Sequence, residues 1–502
     1  MHSEPVVLAS PLQLIAKISI MAAITTLVGW GSHALGIAPH PLSVVAVCTF
    51  IAVICTTLFF WTHRVAVAFL GVAVLIGSRA MTLHGMLRAT ELDIIFFLVG
   101  MMVIVGALKD LGFLTWVIQS IINKKKMTGG SFTLILCGLS ALLSSVVDEV
   151  SSIVVVLALV FQVCDTLKVR ATPFVLIAVL CTNIGSASTM LGNPVGIFIG
   201  NKAGFTFSQF LVGATPVALA SLVVTTLFLL FWYRKPIHEM TLKMQEHRSQ
   251  NRGLGPLVRI PYRRGLCVLI ATVLIIAFHH QIENILGLTG AENKNAFLIV
   301  TPLIIAGLLM AYRPQRARHY VEHEVEWWTL LFFMLLFAIA GGLEEQGVTR
   351  NLAEKLSSVV TGGPKAMVPF VLSISSVGSA FVDNIVFVAA FTPVIQALME
   401  KSADFAVLWW ALLFGACFGG NITAIGSTAN IVALGLLEKR AHAHIAFLEW
   451  LKIGAIIGLI TSLIAWGMLS FMPTPHPANH HVTEKEVIGP LHEPHLSPKP
   501  AN

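Results

Sequence analysis

The chain predicts an all-α, polytopic membrane protein, and three observations carry that prediction. Of its 502 residues 56% are hydrophobic and 11% charged, against about 25% charged in ordinary soluble domains, and the mean hydropathy is +0.83. Apolar runs of about 20 residues, each long enough to cross a hydrocarbon core, recur from Ile15 to Phe471. Two further apolar stretches, about 130–164 and 365–399, are too long for one crossing, and both carry acid in the middle.

Taken in order, the first 40 residues hold one extra transmembrane helix. MHSEPVVLASPLQL has no basic leader, so that span is expected to stay as an anchor. Eleven crossings are expected at about 15–35, 42–60, 64–80, 93–112, 172–200, 208–233, 264–281, 296–312, 327–347, 407–436 and 447–471. Residues 41–234 form a first repeat and 264–471 a second, joined by a basic cytoplasmic loop at 235–263. The Pro- and His-rich tail at 472–502 is expected to be disordered.

The stretches 130–164 and 365–399 read as re-entrant hairpins, each arm about 15 residues and about 22 Å long. The repeats match at a separation of 235 residues: FFLVGMMVIVGALKDLG (Phe96 to Gly112) on LFFMLLFAIAGGLEEQG (Leu331 to Gly347) pairs Gly106 with Gly341 and Gly112 with Gly347. The same separation pairs Asp148 with Asp383 and Glu149 with Asn384. Upstream, THRVAVAFLGVAVLIG resembles KNAFLIVTPLIIAGLL. Downstream, NIGSASTMLGNPVGI (Asn183 to Ile197) resembles GGNITAIGSTANIV (Gly419 to Val432), with the first four residues longer between Asn and Gly. Five crossings and a hairpin per repeat is an odd number, so the second repeat is expected inverted, as in secondary transporters.

Basic residues at Lys124–Lys126, Lys168, Arg170, Arg234–Arg264, Arg313–Arg318 and Arg440 fall on one side, which puts the N-terminus inside and the C-terminus outside. Orientation thus accounts for the net charge of +7, and nucleic acid is not expected as a partner. Trp232, Trp327, Trp328, Trp409, Trp410 and Trp450 lie near span ends, as an interfacial belt does. The seven cysteines have no CxxC spacing and read as small buried apolar residues. HExxH, GxGD, GxSxG and a phosphate-binding GxxxxGK[ST] are absent, so no enzyme is expected.

An ionised carboxylate at the bilayer centre costs about 2.5–3.5 kcal/mol on insertion scales. It is retained where water, a cation or a dipole reaches it. Candidate ion- and substrate-binding residues are therefore Asp148 and Glu149 at the first tip and Asp383 and Asn384 at the second. Asp148, Asp383 and Asn384 are the candidate Na⁺ ligands, and capping of the second arm is the competing role for both aspartates. The two broken spans, rich in hydroxyls, amides and glycine, add Asn183, Ser186, Ser188, Thr189 and Asn193 from one, and Asn421, Thr423, Ser427, Thr428 and Asn430 from the other. No cofactor is expected beyond Na⁺ or H⁺ as coupling ion.

SAFVDNIVFVAAFTPVI (Ser379 to Ile395), GACFGGNITAIGSTANIVALGLLEKR (Gly415 to Arg440) and FLEWLKIG (Phe447 to Gly454) resemble the ion transporter superfamily. Within it the likeness is to the arsenite permease/P protein group, with sodium/proton antiporters of the NhaD type nearby, and it spans roughly residues 45 to 470. The resemblance implies the fold of the divalent anion/sodium symporters: inverted repeats, two opposed hairpins, two broken helices, a homodimer and elevator-like movement. It also implies Ser-Asn-Thr tips, where this chain has Asp148-Glu149-Val150 and Asp383-Asn384-Ile385. A fixed negative charge there opposes an anion unless a cation or proton intervenes. NIGSASTMLGNPVG further departs from the group's NIGGTATLIGDPPN, with Asn193 for the acid and Gly196 for the final Asn.

The expectation is a secondary active transporter of the plasma membrane, coupling H⁺ or Na⁺ to an inorganic ion or oxyanion, as in arsenite or antimonite efflux, or performing Na⁺/H⁺ exchange. A passive anion channel and a sodium-coupled dicarboxylate or citrate symporter are the alternatives.

Overall fold

The structure is a computed structural model, and it describes residues 11–122, 126–250, 260–287, 296–359 and 363–473. Lys124 and Lys125, the middle of the basic loop at 251–259, and the tail from residue 474 lie outside the described residues.

Every regular element among the described residues is helical. The first half holds α1 (Pro11–Ala34), α2 (Pro41–Phe59), α3 (Arg64–Gly77), α4 (Leu83–Ala89), α5 (Leu92–Asp110) and α6 (Phe113–Ile122). It continues with α7 (Gly129–Val146), α8 (Glu149–Leu167), α9 (Thr172–Ser186), α10 (Pro194–Ala203), α11 (Phe207–Trp232) and α12 (Arg234–Ser249). The second half holds α13 (Arg263–Ala277), α14 (His279–Leu286), α15 (Ala296–Tyr312), α16 (Pro314–His319), α17 (Trp327–Glu345) and α18 (Val348–Val359). It ends with α19 (Pro364–Phe381), α20 (Asn384–Met399), α21 (Val407–Gly419), α22 (Thr428–Ala441) and α23 (Phe447–Phe471). Eight of these helices are long and apolar enough to cross a membrane, nine if α13 and α14, bent by 62° at Phe278, count as one. The protein is a multi-pass membrane protein of all-α class.

Local chemistry sets the breaks. Side chains of Thr128, Asp148, Asn193, Thr206, Asp383 and Ser427 each accept a backbone N–H in the first turn of the helix they open, replacing bonds the helix cannot make for itself. Gly112 and Gly347, matched in the sequence, end α5 and α17 with φ of +76° and +71°, a region that favours glycine.

Packing between the halves is reciprocal. α5 packs on α15 while α17 packs on α3, and α8 packs on α22 while α20 packs on α10. Within each half, α7 lies on α9 and α19 on α21. Reciprocal contacts of this kind are the mark of a two-fold relation. α1, with few buried residues, packs on α2 and stands outside that relation.

Four expectations are corrected. The hairpin arms have 18, 19, 18 and 16 residues, about 24–28 Å at 1.5 Å per residue, so both are longer than the sequence estimate. The basic loop at 235–263 contains α12, whose Ile237, Met240 and Met244 are buried and which packs on α7 and α8. Trp409, Trp410 and Trp450 are buried in protein, unlike Trp232, Trp327 and Trp328. Their indoles work internally: Trp450 Nε1 donates to the Asn421 carbonyl at 3.1 Å, and Trp410 stacks on Phe205 at 4.6 Å. Of the seven cysteines, Cys267 is exposed and Cys48 half-buried, against the expectation that all are buried.

Candidate functional site

Between α7 and α8 only Val147 and Asp148 are non-helical, and between α19 and α20 only Val382 and Asp383. Both tips face one cavity, lined by Asp148, Glu149, Asp383 and Asn384 together with Asn193 and Thr428 from the two broken spans. Its other wall is Phe97, Leu98 and Met101 of α5 and Glu324, Glu326, Thr329 and Phe333 at and before α17.

The aspartates do cap. Asp148 Oδ1 accepts the Ser151 amide at 2.8 Å, and Asp383 Oδ1 accepts the Ile385 amide at 3.2 Å. Capping uses one oxygen each; Asp383 Oδ2 accepts the Thr428 hydroxyl at 2.6 Å, bringing tip and broken span together. Glu149 is 6% exposed and lies within electrostatic reach of both aspartates and of the Ser186 and Ser427 hydroxyls. Its Oε2 has no hydrogen-bond partner.

The second tip differs at the matching place. The Asn384 amide nitrogen, with two N–H groups to donate, faces three acceptors, Ser379 Oγ, Ala416 O and Gly426 O, at 2.5, 3.1 and 2.7 Å.

The broken spans are bound to the hairpins by matched bonds. Ser144 Oγ donates to Thr182 O at 2.7 Å, and Ser379 Oγ to Ala416 O at 2.7 Å. Thr189 Oγ1 donates to Ser145 O, and Thr423 Oγ1 to Ala380 O. These pairs correct the sequence alignment. Thr189 pairs with Thr423 and Gly192 with Gly426, so no four-residue insertion exists, and Asn183 pairs with Cys417, not with Asn421. The cross-contacts obey the same pairing: Asn193 Nδ2 donates to Cys417 Sγ at 3.1 Å, and Ser427 Oγ to Asn183 Oδ1 at 3.1 Å.

Asn183 is the centre of the buried network. Its Nδ2 donates to Asn421 Oδ1 and to Asn430 Oδ1, both at 2.8 Å. Asn430 Nδ2 holds Gly420 O and Thr423 O at 2.8 and 2.9 Å, and Asn193 Nδ2 reaches Ser186 Oγ at 2.8 Å. Ser188 only closes a local bond to Gly185 O at 2.6 Å. So six of the fourteen expected residues line the cavity, and Asn183, Ser186, Ser188, Thr189, Asn421, Thr423, Ser427 and Asn430 build the frame behind it.

Sequence reasoning missed Glu324, Glu326, Thr329 and Arg64. Arg64, 5% exposed, donates from Nη2 to Thr329 Oγ1 at 3.1 Å, and Thr329 donates on to Glu326 Oε2 at 3.2 Å. The signal available was YVEHEVEWW before a span, three carboxylates where orientation alone calls for none, of which Glu324 and Glu326 line the cavity. Among the described residues no three His, Cys, Asp or Glu side chains converge as metal ligands. A second cavity of about 590 Å³ opens between α4, α10, α17 and α20, bordered by Glu91 and Lys202, which form an ion pair.

The citrate transporter family matches residues 48–415. An uncharacterized transporter of Mycobacterium tuberculosis is 31% identical over 439 residues, covering 84% of this chain and 97% of that one. A 46 kDa membrane protein of Mycobacterium leprae is 31% identical over 385 residues, 74% of this chain and 84% of that one. The human P protein is 25% identical over 472 residues, covering 78% of this chain and 55% of its own length. Among solved structures, the YdaH transporter of Alcanivorax borkumensis aligns with a TM-score of 0.49 at 15% identity, over 74% of this chain and 84% of that one. The chain is a membrane transporter and not an enzyme, and it belongs to the citrate transporter family.

Proposed function

We propose that the chain is a secondary transporter that moves citrate or a related polycarboxylate together with protons or sodium ions, with Glu149 taking up the coupling cation. The observation that carries this reading is the partnerless Oε2 of a buried glutamate. A buried carboxylate oxygen without a donor is costly, and it is retained where a proton or cation arrives to occupy it. The matching tip supports the same reading, because there an amide stands where Glu149 Oε2 has no donor.

The family supplies the substrate class, and the acids set its terms. Asp148, Glu149, Glu324, Glu326 and Asp383 line the cavity; Lys109 pairs with Glu324 at 2.6 Å, and the four remaining acids repel a bare polyanion. Substrate must therefore enter with enough cation to offset that charge, which makes symport the natural form. The same excess of acid favours a second reading, Na⁺/H⁺ exchange with no organic anion. In either case the protein sits in the plasma membrane as a homodimer, N-terminus inside and C-terminus outside, its hairpin tips meeting near the midplane.

Proteoliposomes given Na⁺, Li⁺, citrate, arsenite and chloride in turn, against a pH gradient, separate these readings. Citrate uptake driven by the proton or sodium gradient is the expected result. Asp383→Asn keeps the cap through its one carbonyl oxygen and meets Thr428 Oγ1 with its amide, reversing that bond, while removing the charge, so it is expected to abolish coupled uptake in a folded protein. Full cation-dependent flux in that variant overturns the carboxylate role. Cation exchange without citrate decides for the second reading, and chloride current without coupled proton flux for a channel.

A further inference from the structure

Arg64 opens α3 directly after the turn at Trp61–His63. Its guanidinium lies over the Trp61 ring at 3.9 Å and near Phe332 at 5.3 Å, and Nη2 is fixed by Thr329. Nε is buried and has no partner, and the side chain makes no ion pair among the described residues. Glu326 is hydrogen-bonded only through the Thr329 hydroxyl, and both Asp383 and Glu326 act on the guanidinium at a distance.

A buried guanidinium stripped of water needs a counter-charge at hydrogen-bonding distance. Arg64 has its plane held by stacking and one edge by a hydroxyl, with a donor left over. That is a preorganised fork of the type that binds carboxylates in bidentate fashion. Thr329 and Glu326, its two links, line the cavity between the tips. In the opposite repeat the residue matched to Arg64 is Ala296, so the charge is present once per chain.

We propose that Arg64 is the anion-recognising residue of this transporter: a carboxylate of the substrate docks on Nε and the adjoining guanidinium edge, while the tip acids hold the cations that travel with it. The division places one cationic group on the substrate's anionic end and leaves the acids to the coupling ions. It deepens the symport reading and rests on it for the substrate class.

The test is ligand-dependent thermal stabilisation of the full chain purified in detergent, with citrate, tricarballylate, sulfate and phosphate as probes, in parallel with Na⁺ and pH titrations. The parent is expected to be stabilised by a polycarboxylate. Arg64→Gln is expected to raise the apparent Kd for that anion tenfold or more while the Na⁺ and pH responses stay as in the parent. Arg64→Lys, which keeps charge without the fork, is expected to fall between the two. In uptake assays the loss appears in KM rather than kcat. If Arg64→Gln fails to fold, Thr329→Val, which frees the guanidinium, is expected to weaken anion binding severalfold. Unchanged anion binding in the folded variants, or no stabilisation of the parent by any probe, overturns the proposal. Arg64-dependent binding of an anion that is not transported preserves the assignment of Arg64 and refutes citrate symport instead.

Discussion

Asn183→Ala tests the buried network most sharply. Asn183 is fully buried, and its amide makes three bonds, two donated to Asn421 and Asn430 and one accepted from Ser427. Truncation leaves two carbonyl oxygens and one hydroxyl without those partners, at about 1–3 kcal/mol for each buried atom. Because Ser427 Oγ still accepts the Ala429 amide and carbonyl oxygens tolerate partial satisfaction, the expected loss is about 3–6 kcal/mol. Unfolding by SDS titration in bicelles measures it. Asn183→Asp keeps the volume but turns an acceptor toward two acceptors, so it is expected to be no more stable. Ser188→Ala, which removes one local bond, is the control at about 1 kcal/mol or less. A loss below about 1 kcal/mol for Asn183→Ala refutes the view that Asn183 joins the two broken spans.

Gly347→Ala meets no atom nearby and is expected to cost about 1–2 kcal/mol for its positive φ alone, whereas Gly112→Ala also meets Ile260 Cγ2 at 2.5 Å and is expected to cost more; equal thermal shifts contradict this. Gly138→Ala, on an open face of α7, is expected to stabilise by about 0.5–1 kcal/mol in the same assay. Gly100→Ala places a methyl 2.8 Å from the Pro302 backbone and is expected to destabilise the crossing of α5 and α15 by about 1–3 kcal/mol; a neutral result removes close packing as the reason for that glycine.

The repeat was legible because its helices have nearly equal lengths, so one separation carries Gly106, Gly112, Asp148 and Glu149 onto their partners. Downstream the eye is drawn to identical letters, Asn183 and Asn421. The structure pairs instead what holds the chain in place, Thr189 and Gly192 with Thr423 and Gly426, since a threonine tied to the hairpin and a glycine under the opposite backbone are the geometric requirement. Arg64 was not legible because a lone cation at a span boundary reads as an orientation signal. Only the fold shows it buried beside Thr329. Trp409, Trp410 and Trp450 misled for the related reason that position along a helix says nothing of which neighbour covers it.

Next to the matched aspartates the two tips differ in charge at one place. Glu149 and Asn384 occupy matched places, and the oxygens around Asn384 (Ser379 Oγ, Ala416 O and Gly426 O) have counterparts in Ser144 Oγ, Thr182 O and Gly192 O. An amide in such a ring is its own donor and leaves the tip satisfied. The Glu149 carboxylate lies instead by the Ser186 and Ser427 hydroxyls, its Oε2 has no partner, and that oxygen is completed when a proton or cation joins it. Glu149→Asn should therefore make the first tip behave as the second does. The variant is expected to be more stable than the parent by about 1–3 kcal/mol, the cost of one orphaned buried atom, and to bind substrate without moving it in response to a proton or sodium gradient. Gradient-driven flux at the parent rate in Glu149→Asn would sink the argument, because it would show that the matched position carries no cation in either half.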